Sequence, residues 1–430
     1  MRLAPIPAFH VPTRHRLPTA LLSTLLLSFG PACSADGGGP DGDVNTLAAL
    51  TAVEDLRIGS IDDPDRGFSS IGLVDVDRDE QVFAYETTDR QIRVYDRDGT
   101  FVRAIGRRGE GPGEFGMVVQ FGVTGDTIWT WDFRLRRLTL FDRMGTVLTT
   151  APMSGMPVQL QRPGMIGSVT PRALRPDGLF TSDMISIRYS ARTPDETVRK
   201  DTVMVPRILF DATGTTVDTV GWFAFPPRPS DVSQQVEIRG TRLSVPQPPS
   251  DEELRMMMGD GGYLIARTRP TTAEPAEFTV TRVAESGDTL FRRRFRYTPA
   301  RYTSALLDTM AWRAVRTPGP TIFTPAGEAR APADLDVDVA WREIRDAMDW
   351  PEFQIPVEQA PVGHDGTLWL RREDDGGPDY RYMVLDAEGQ ARGILSLPRG
   401  LAIRWISADR FWAVDTDVLG VPWLVRFRYD

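Results

Sequence analysis

Apolar and polar residues alternate in short runs along most of the chain, a period of two that sends successive side chains to opposite faces of a strand. The stretch from Val82 to Phe115 shows the pattern most clearly. Val82 to Tyr85 reads as one strand, Glu86 to Arg90 as a polar connection, and Ile92 to Tyr95 as a second strand. Asp96-Arg97-Asp98-Gly99 then supplies the Asp and Gly that a tight hairpin needs for positive φ, and Phe101 to Ile105 returns as a third strand. A glycine-rich link, Gly106 to Gly113, leads onward.

The same order reappears as Ile128 to Trp131, Leu138 to Phe141, the turn Asp142-Arg143-Met144-Gly145, and Thr146 to Leu148. Val82 and Ile128, Asp96 and Asp142, and Gly99 and Gly145 each stand 46 residues apart. A fixed period in that range, built from antiparallel strands, marks a propeller blade. One such sheet cannot bury both faces, so several must pack around an axis. A third blade is expected from Val169 to Val220, with the turn Pro176-Asp177-Gly178 and an insertion from Ser182 to Val203; a fourth runs from Leu254 to Phe295 and a fifth from His364 to Leu397.

Near the start of the repeats, Ile58-Gly59 and Phe68 stand 47 residues before Ile105-Gly106 and Phe115, so residues 53 to 68 read as an outer strand without its blade. Ala402 to Ile406, Phe411 to Val414 and Trp423 to Tyr429 are three strands lacking a fourth. Pairing Asp55 to Ile58 with Trp423 to Tyr429 would close the ring and remove two exposed edges. The expected fold is therefore all-β: a six-bladed β-propeller of four-stranded antiparallel blades over residues 53–430, its N-terminal strand completing the last blade. A small helical insertion is expected between blades four and five. There Val337, Trp341, Ile344 and Met348 recur at helical spacing before Pro351, and Ser304 to Val315 is a second candidate helix.

Residues 1–32 carry Arg2, Arg14 and Arg16 but no acid, and the apolar run Leu17 to Phe29 is shorter than the ~20 residues of a membrane span. They read as a signal peptide. Its removal takes the formal charge from -9 to -12, because three basic residues leave and no acidic ones do. An acidic mature chain repels nucleic acid, which excludes that partner class. Cys33 is the only cysteine, so no intramolecular disulfide can form, and a monomer is expected.

Cys33 follows Gly30-Pro31-Ala32 and precedes the Gly- and Asp-rich Ser34 to Asp43, an arrangement that resembles the lipidation site of bacterial lipoproteins. Ala32 matches the small residue wanted before the cysteine, whereas Gly30 stands where the family prefers Leu, and Pro31 departs from the pattern. The resemblance implies lipid attachment at Cys33, a flexible tether over residues 33–52, and a cell-envelope protein held on a membrane through its N-terminal anchor. Ordinary cleavage near Ala32 or Ala35 would instead give a soluble periplasmic or secreted protein.

In a propeller, the links between blades and the loops joining second to third strands open on one face. Ser182 to Val203, Gly221 to Glu253, Pro299 to Gln359 and Arg371 to Asp379 are all of those two kinds, while the other face carries only tight turns. Loops held on a rigid scaffold tend to carry binding, so the loop-rich face is the expected working surface. Arg107, Arg108, Glu110 and Glu114 of the first link should sit there beside Arg134 and Arg136 of the blade-two loop. They are candidate ligand contacts, or else solvated salt-bridge partners. The run Gly106 to Phe115, GRRGEGPGEF, resembles the link of NHL-type and related six-bladed propellers of bacterial envelopes, in which glycines give a tight path and the Phe packs into the next blade. That resemblance implies a fold and a binding habit, not an activity. As a phosphate loop the run lacks the Lys-Ser/Thr pair and leads into a strand.

Asp75, Asp77 and Asp79 alternate like the first ligands of a calcium loop, with Glu86 at the twelfth position, but Glu80 fills the sixth, where Gly is wanted. They read better as the hairpin between the first two strands of blade one. Among enzymes of similar architecture, lactonases hold calcium through Asn, Asp and Glu, and lyases hold zinc through several His. Here the only Asn is Asn45 and the only His beyond the signal is His364, in a plain-face turn, so neither metal set can be assembled. No metal and no cofactor are expected, and a Ser-His-Asp triad is disfavoured because His364 lies away from the loops. A carboxylate pair stays open. The leading expectation is a non-catalytic exported binding scaffold that recognises a protein, peptide or glycan on its loop-rich face. The alternatives are a carboxylate-dependent hydrolase or lyase in the central pocket, and an architectural envelope protein.

Overall fold

A computed structural model describes residues 41–62, 67–153, 156–159, 165–189, 203–225, 233–238, 241–246, 253–257, 262–268, 276–316, 322–324, 327–329, 337–350, 352–372 and 376–430. The expected signal peptide, residues 1–32, and Cys33 lie outside them. The chain forms a six-bladed propeller of four-stranded antiparallel blades. Blade one is Ile71–Val76, Val82–Glu86, Gln91–Tyr95 and Phe101–Ile105, and blade two is Val118–Thr124, Thr127–Asp132, Arg137–Asp142 and Val147–Pro152. Blades three and four follow from Met165 to Phe225 and from Glu253 to Tyr297. In blade five the innermost strand pairs only through the bridges Gln359 to Arg371 and Val362 to Leu368.

Blade six closes as the sequence pattern requires. Ala52–Ile58 pairs antiparallel with Pro422–Tyr429, Val53 opposite Arg428 and Ile58 opposite Leu424. The join is charged as well as hydrogen-bonded. Asp55 accepts from Arg426 Nε at 2.8 Å and from Arg428 Nε at 2.5 Å.

Residues 41–50, expected to be the end of a tether, instead run as a strap along blades four and five. Gly42–Asp43 lies parallel to the outer strand of blade four with Gly42 opposite Phe295, and Ala49–Leu50 lies parallel to that of blade five with Ala49 opposite Ile394. Apolar side chains explain why the stretch is held: Val44 and Leu47 pack on the core between blades four and five, and Leu50 on that between five and six. The pairing also covers two sheet edges that four strands would leave open.

Each blade buries its faces against its neighbours. Phe83, Tyr85, Ile92, Phe115, Ile128 and Phe141 form the core between blades one and two, and Phe68, Val74, Tyr95, Trp412 and Leu424 that between six and one. Phe115 shows how the link motif works. Its ring meets Tyr85 and Phe141 edge-on at 6.1 and 5.8 Å, and Gly106, at φ 75°, passes so close that a Cβ there would sit 2.2 Å from the ring. Only glycine tolerates both the left-handed backbone and that approach.

The turns of the plain face share one device. Asp96, Asp142, Asp211 and Asp386 each accept from the backbone N–H groups two and four residues on, which fixes the turn before its glycine at positive φ. Between blades four and five stand the two expected helices, Ser304–Arg316 and Val337–Ala347. They pack on each other, with Ala311, Ile344 and Met348 buried, and Arg345 reaches across to Asp308 and Ser304.

Candidate functional site

On the loop-rich face, the link from blade one to blade two is a closed loop. Phe115 N–H donates to Arg107 O at 2.7 Å and Gly109 N–H to Phe115 O at 3.2 Å. Glu114 ties the loop internally, accepting from Arg107 Nε at 2.9 Å and from Gly111 N–H at 2.8 Å; the Gly111 bond and then the Arg107 guanidinium hold its carboxyl below the usual range. From blade two, Arg137 donates to Glu110 O at 2.8 Å and Gly111 O at 2.7 Å, which fixes the loop against the next sheet. A buried acid anchors the entrances of blades one and two. Glu86 accepts from Ser69 and Ser70 N–H, and 46 residues later Asp132 accepts from Gly116, Met117 and Leu135 N–H. Glu86, at the twelfth position of the weighed calcium loop, is thus a backbone clamp, a role whose signal was the repeat spacing itself.

The six candidate contact residues divide. Arg107 pairs with Glu114, and Arg134 approaches Glu110 at 3.7 Å across the gap between link and blade-two loop. Arg108 turns away to donate to Thr88 O at 2.6 Å. Arg136 contributes backbone instead: at φ 50° it bends the loop, and its carbonyl accepts from Met153 N–H at 2.6 Å. Exposed pairs of this kind add little stability. Their charges are free to serve recognition. Between them lies an element that charge patterning did not reveal: Met117 and Phe133, joined by the bond from Phe133 N–H to Met117 O at 2.9 Å, are 45% and 53% exposed, with Val119 beside them on the inner strand.

A second cluster occupies the same face at blade five. Arg371 donates to Glu358 at 2.6 Å, and Arg371 and Arg399 lie over the Tyr380 ring at 4.7 and 4.5 Å. Burial, and then the charge of Glu358, push the Tyr302 hydroxyl well above the usual tyrosine range, so it stays a protonated donor. The sequence named the loop Arg371 to Asp379 but not these partners, which come from opposite sides of the helical insertion.

His364 occupies the expected plain-face turn, and its Nε2 lies 3.4 Å from Oδ1 of Asp75, on the inner strand of blade one. Asp75 is buried and also accepts from Val76 N–H at 2.9 Å and Val123 N–H at 2.8 Å. Burial raises its pKa, and His364 and the two amides pull it only part of the way back. Asp77 and Asp79 stay in the hairpin, where both pair with Arg143 of blade two. Asp75 therefore faces His364, whereas Asp77 and Asp79 share Arg143. Among the described residues no group of three or more His, Cys, Asp or Glu is placed to hold a metal ion, and no helix is long and apolar enough to cross a membrane.

Residues 65–152, which hold blades one and two, match the sequence profile of a family described as a 6-bladed beta-propeller, DUF5128. No curated protein matches the chain. Among solved structures, it is similar to a protein of Bacteroides fragilis described as exported, with 11% identity, 90% of this chain and 98% of that one covered, and a TM-score of 0.44. A Bacteroides vulgatus protein has 9% identity, 89% and 98% coverage and a TM-score of 0.46. Virginiamycin B lyase from Staphylococcus aureus has 11% identity, 88% and 99% coverage and a TM-score of 0.34.

Proposed function

We propose that this propeller is a non-catalytic binding scaffold of the cell envelope, exported by its N-terminal leader, anchored through lipid on Cys33, and presenting its loop-rich face to a protein, peptide or glycan. One observation carries the reading: Met117 and Phe133, joined backbone to backbone, are both exposed on the face that carries the ion pairs Arg107–Glu114 and Arg134–Glu110. Exposed apolar side chains of that size on a face that also carries charges are the composition of a recognition patch, the apolar part supplying burial and the charges orientation. A protein or peptide fits it best, because its own apolar side chains can cover the pair.

The test is cross-linking in whole cells, comparing the native chain with Phe133→Ser, Met117→Ser and, on the plain face, Met144→Ser, which alters a still more exposed turn residue. The expected result is a partner captured by the native and Met144→Ser chains and lost from the other two. An unchanged partner set in Phe133→Ser and Met117→Ser would overturn the assignment.

A further inference from the structure

Independently of the exposed pair, the inner strands bring positive charge to the propeller axis. In four blades the inner strand carries a bulge, where one residue has no partner on the second strand: Gly72 in blade one, Val119 in blade two, Arg172 in blade three and Arg404 in blade six. Blade six shows where such a residue points. Ala402 and Trp405 pack on the core between blades six and one, while Ile403 and Ile406 pack on that between five and six. Both cores are thus already served by the regular alternation, and the inserted Arg404 is left the remaining direction, toward the axis. Its side chain is exposed, and it reaches over to Ile71 O on the inner strand of blade one at 3.5 Å.

Arg172 is its counterpart. Each of the two bulges is followed by two more paired residues, Ala173-Leu174 and Trp405-Ile406, and then by a plain-face turn, and each arginine is exposed. Blades three and six are three steps apart in a ring of six, so the two positions lie on opposite sides of the axis.

The charge of Arg404 is uncompensated. Among the described residues it makes no ion pair, and its one contact is longer than the usual ~2.7–3.2 Å. Burial alone pushes its pKa down, with no carboxylate close enough to pull it back. A side chain that water reaches and protein atoms nevertheless surround is what a channel wall provides. The guanidinium remains protonated there, with a single N–H donor in use. Since the chain as a whole is acidic, this charge is not part of a general basic surface. A planar fork of free donors matches the paired oxygens of a carboxylate or a phosphate.

We infer that the central channel binds an oxyanion, with Arg404 as its main contact and Arg172 meeting it from the opposite blade. The group comes either as a carboxylate or as a phosphate.

Isothermal titration of the full exported chain with succinate, citrate and inorganic phosphate at low ionic strength tests this. At least one should bind, at least about tenfold more weakly to Arg404→Gln and to Arg172→Gln, the size of one lost charge-assisted hydrogen bond, and more weakly as salt is added. The bound anion should also raise the melting temperature of the native chain and not that of Arg404→Gln. Phe133→Ser should leave the affinity unchanged, which separates this site from the loop-face patch. Melts without anion confirm that the variants are folded, and Arg172→Gln carries the test if Arg404→Gln is not. Binding of succinate or citrate identifies a carboxylate ligand; binding of phosphate alone identifies a phosphoryl group. If none of the three binds the native chain, or if binding survives both arginine substitutions, the inference fails while the loop-face proposal stands.

Discussion

Replacing Gly106 by Ala tests whether the link between blades is the close-packed joint described here. The residue sits at φ 75°, and an added Cβ would lie 2.2, 2.7 and 2.8 Å from three ring carbons of Phe115. The left-handed backbone alone costs an alanine about 1–2 kcal/mol. Displacing a packed ring adds about 1–3 kcal/mol, so Gly106→Ala is expected to lose about 2–5 kcal/mol. Phe115→Ala, which empties a site only 1% exposed, should lose about 3–5 kcal/mol. The two losses share one cause. Once the ring is gone the new methyl has nothing to strike, and only the backbone cost remains. The double variant should therefore be about 1–3 kcal/mol more stable than the sum of the single losses predicts. Guanidinium unfolding followed by tryptophan fluorescence measures all four corners of the cycle. Additivity within about 0.5 kcal/mol would refute the contact.

At the ring closure, burial pushes Asp55 up, but the hydrogen bonds and charges of Arg426 and Arg428 outweigh it and hold its pKa below the usual range. Its contribution is thus complete above the ordinary value of ~3.9 and lost as pH falls through the lower folded value, so Asp55→Asn should reduce the acid-induced drop in melting temperature. Asp75 acts with the opposite sign: its pKa is raised by burial, so its contribution is complete below ~3.9 and lost as pH rises through the folded value. Melts of Asp75→Asn from pH 4 to 8 should lack that part of the decline. Cys33→Ser should move the protein from the membrane fraction to the soluble one, and a chain that remains equally membrane-bound would exclude the lipid anchor.

What the sequence disclosed follows from how local each signal is. Val82 to Leu148 carried both strand alternation and a 46-residue repeat, and Asp96 and Gly99 named their turn because its bonds lie within five residues. Blade closure was legible because Asp55 to Ile58 echoed an outer strand that the C-terminal end lacked. The strap was not, since Gly42–Asp43 and Ala49–Leu50 are two residues long each, too short for any period, and the first ends a Gly- and Asp-rich run. The pair His364 with Asp75 was hidden for another reason. Nothing in spacing tells which turn of one blade leans on the inner strand of another. Met117 and Phe133 were missed because the reading there followed charge, while the exposed surface is apolar.

The join between Ala52–Ile58 and Pro422–Tyr429 also fixes an order of events. The segment translated among the first must wait, unmated, for the segment translated last, because no other strand completes the sixth sheet. Until then two raw edges stay available to strangers, and blades one to five can mature while the circle is open. Completion is consequently a late and long-range step, slow for its loop entropy, and a chain cut short by even its final eight residues would be left with an open seam.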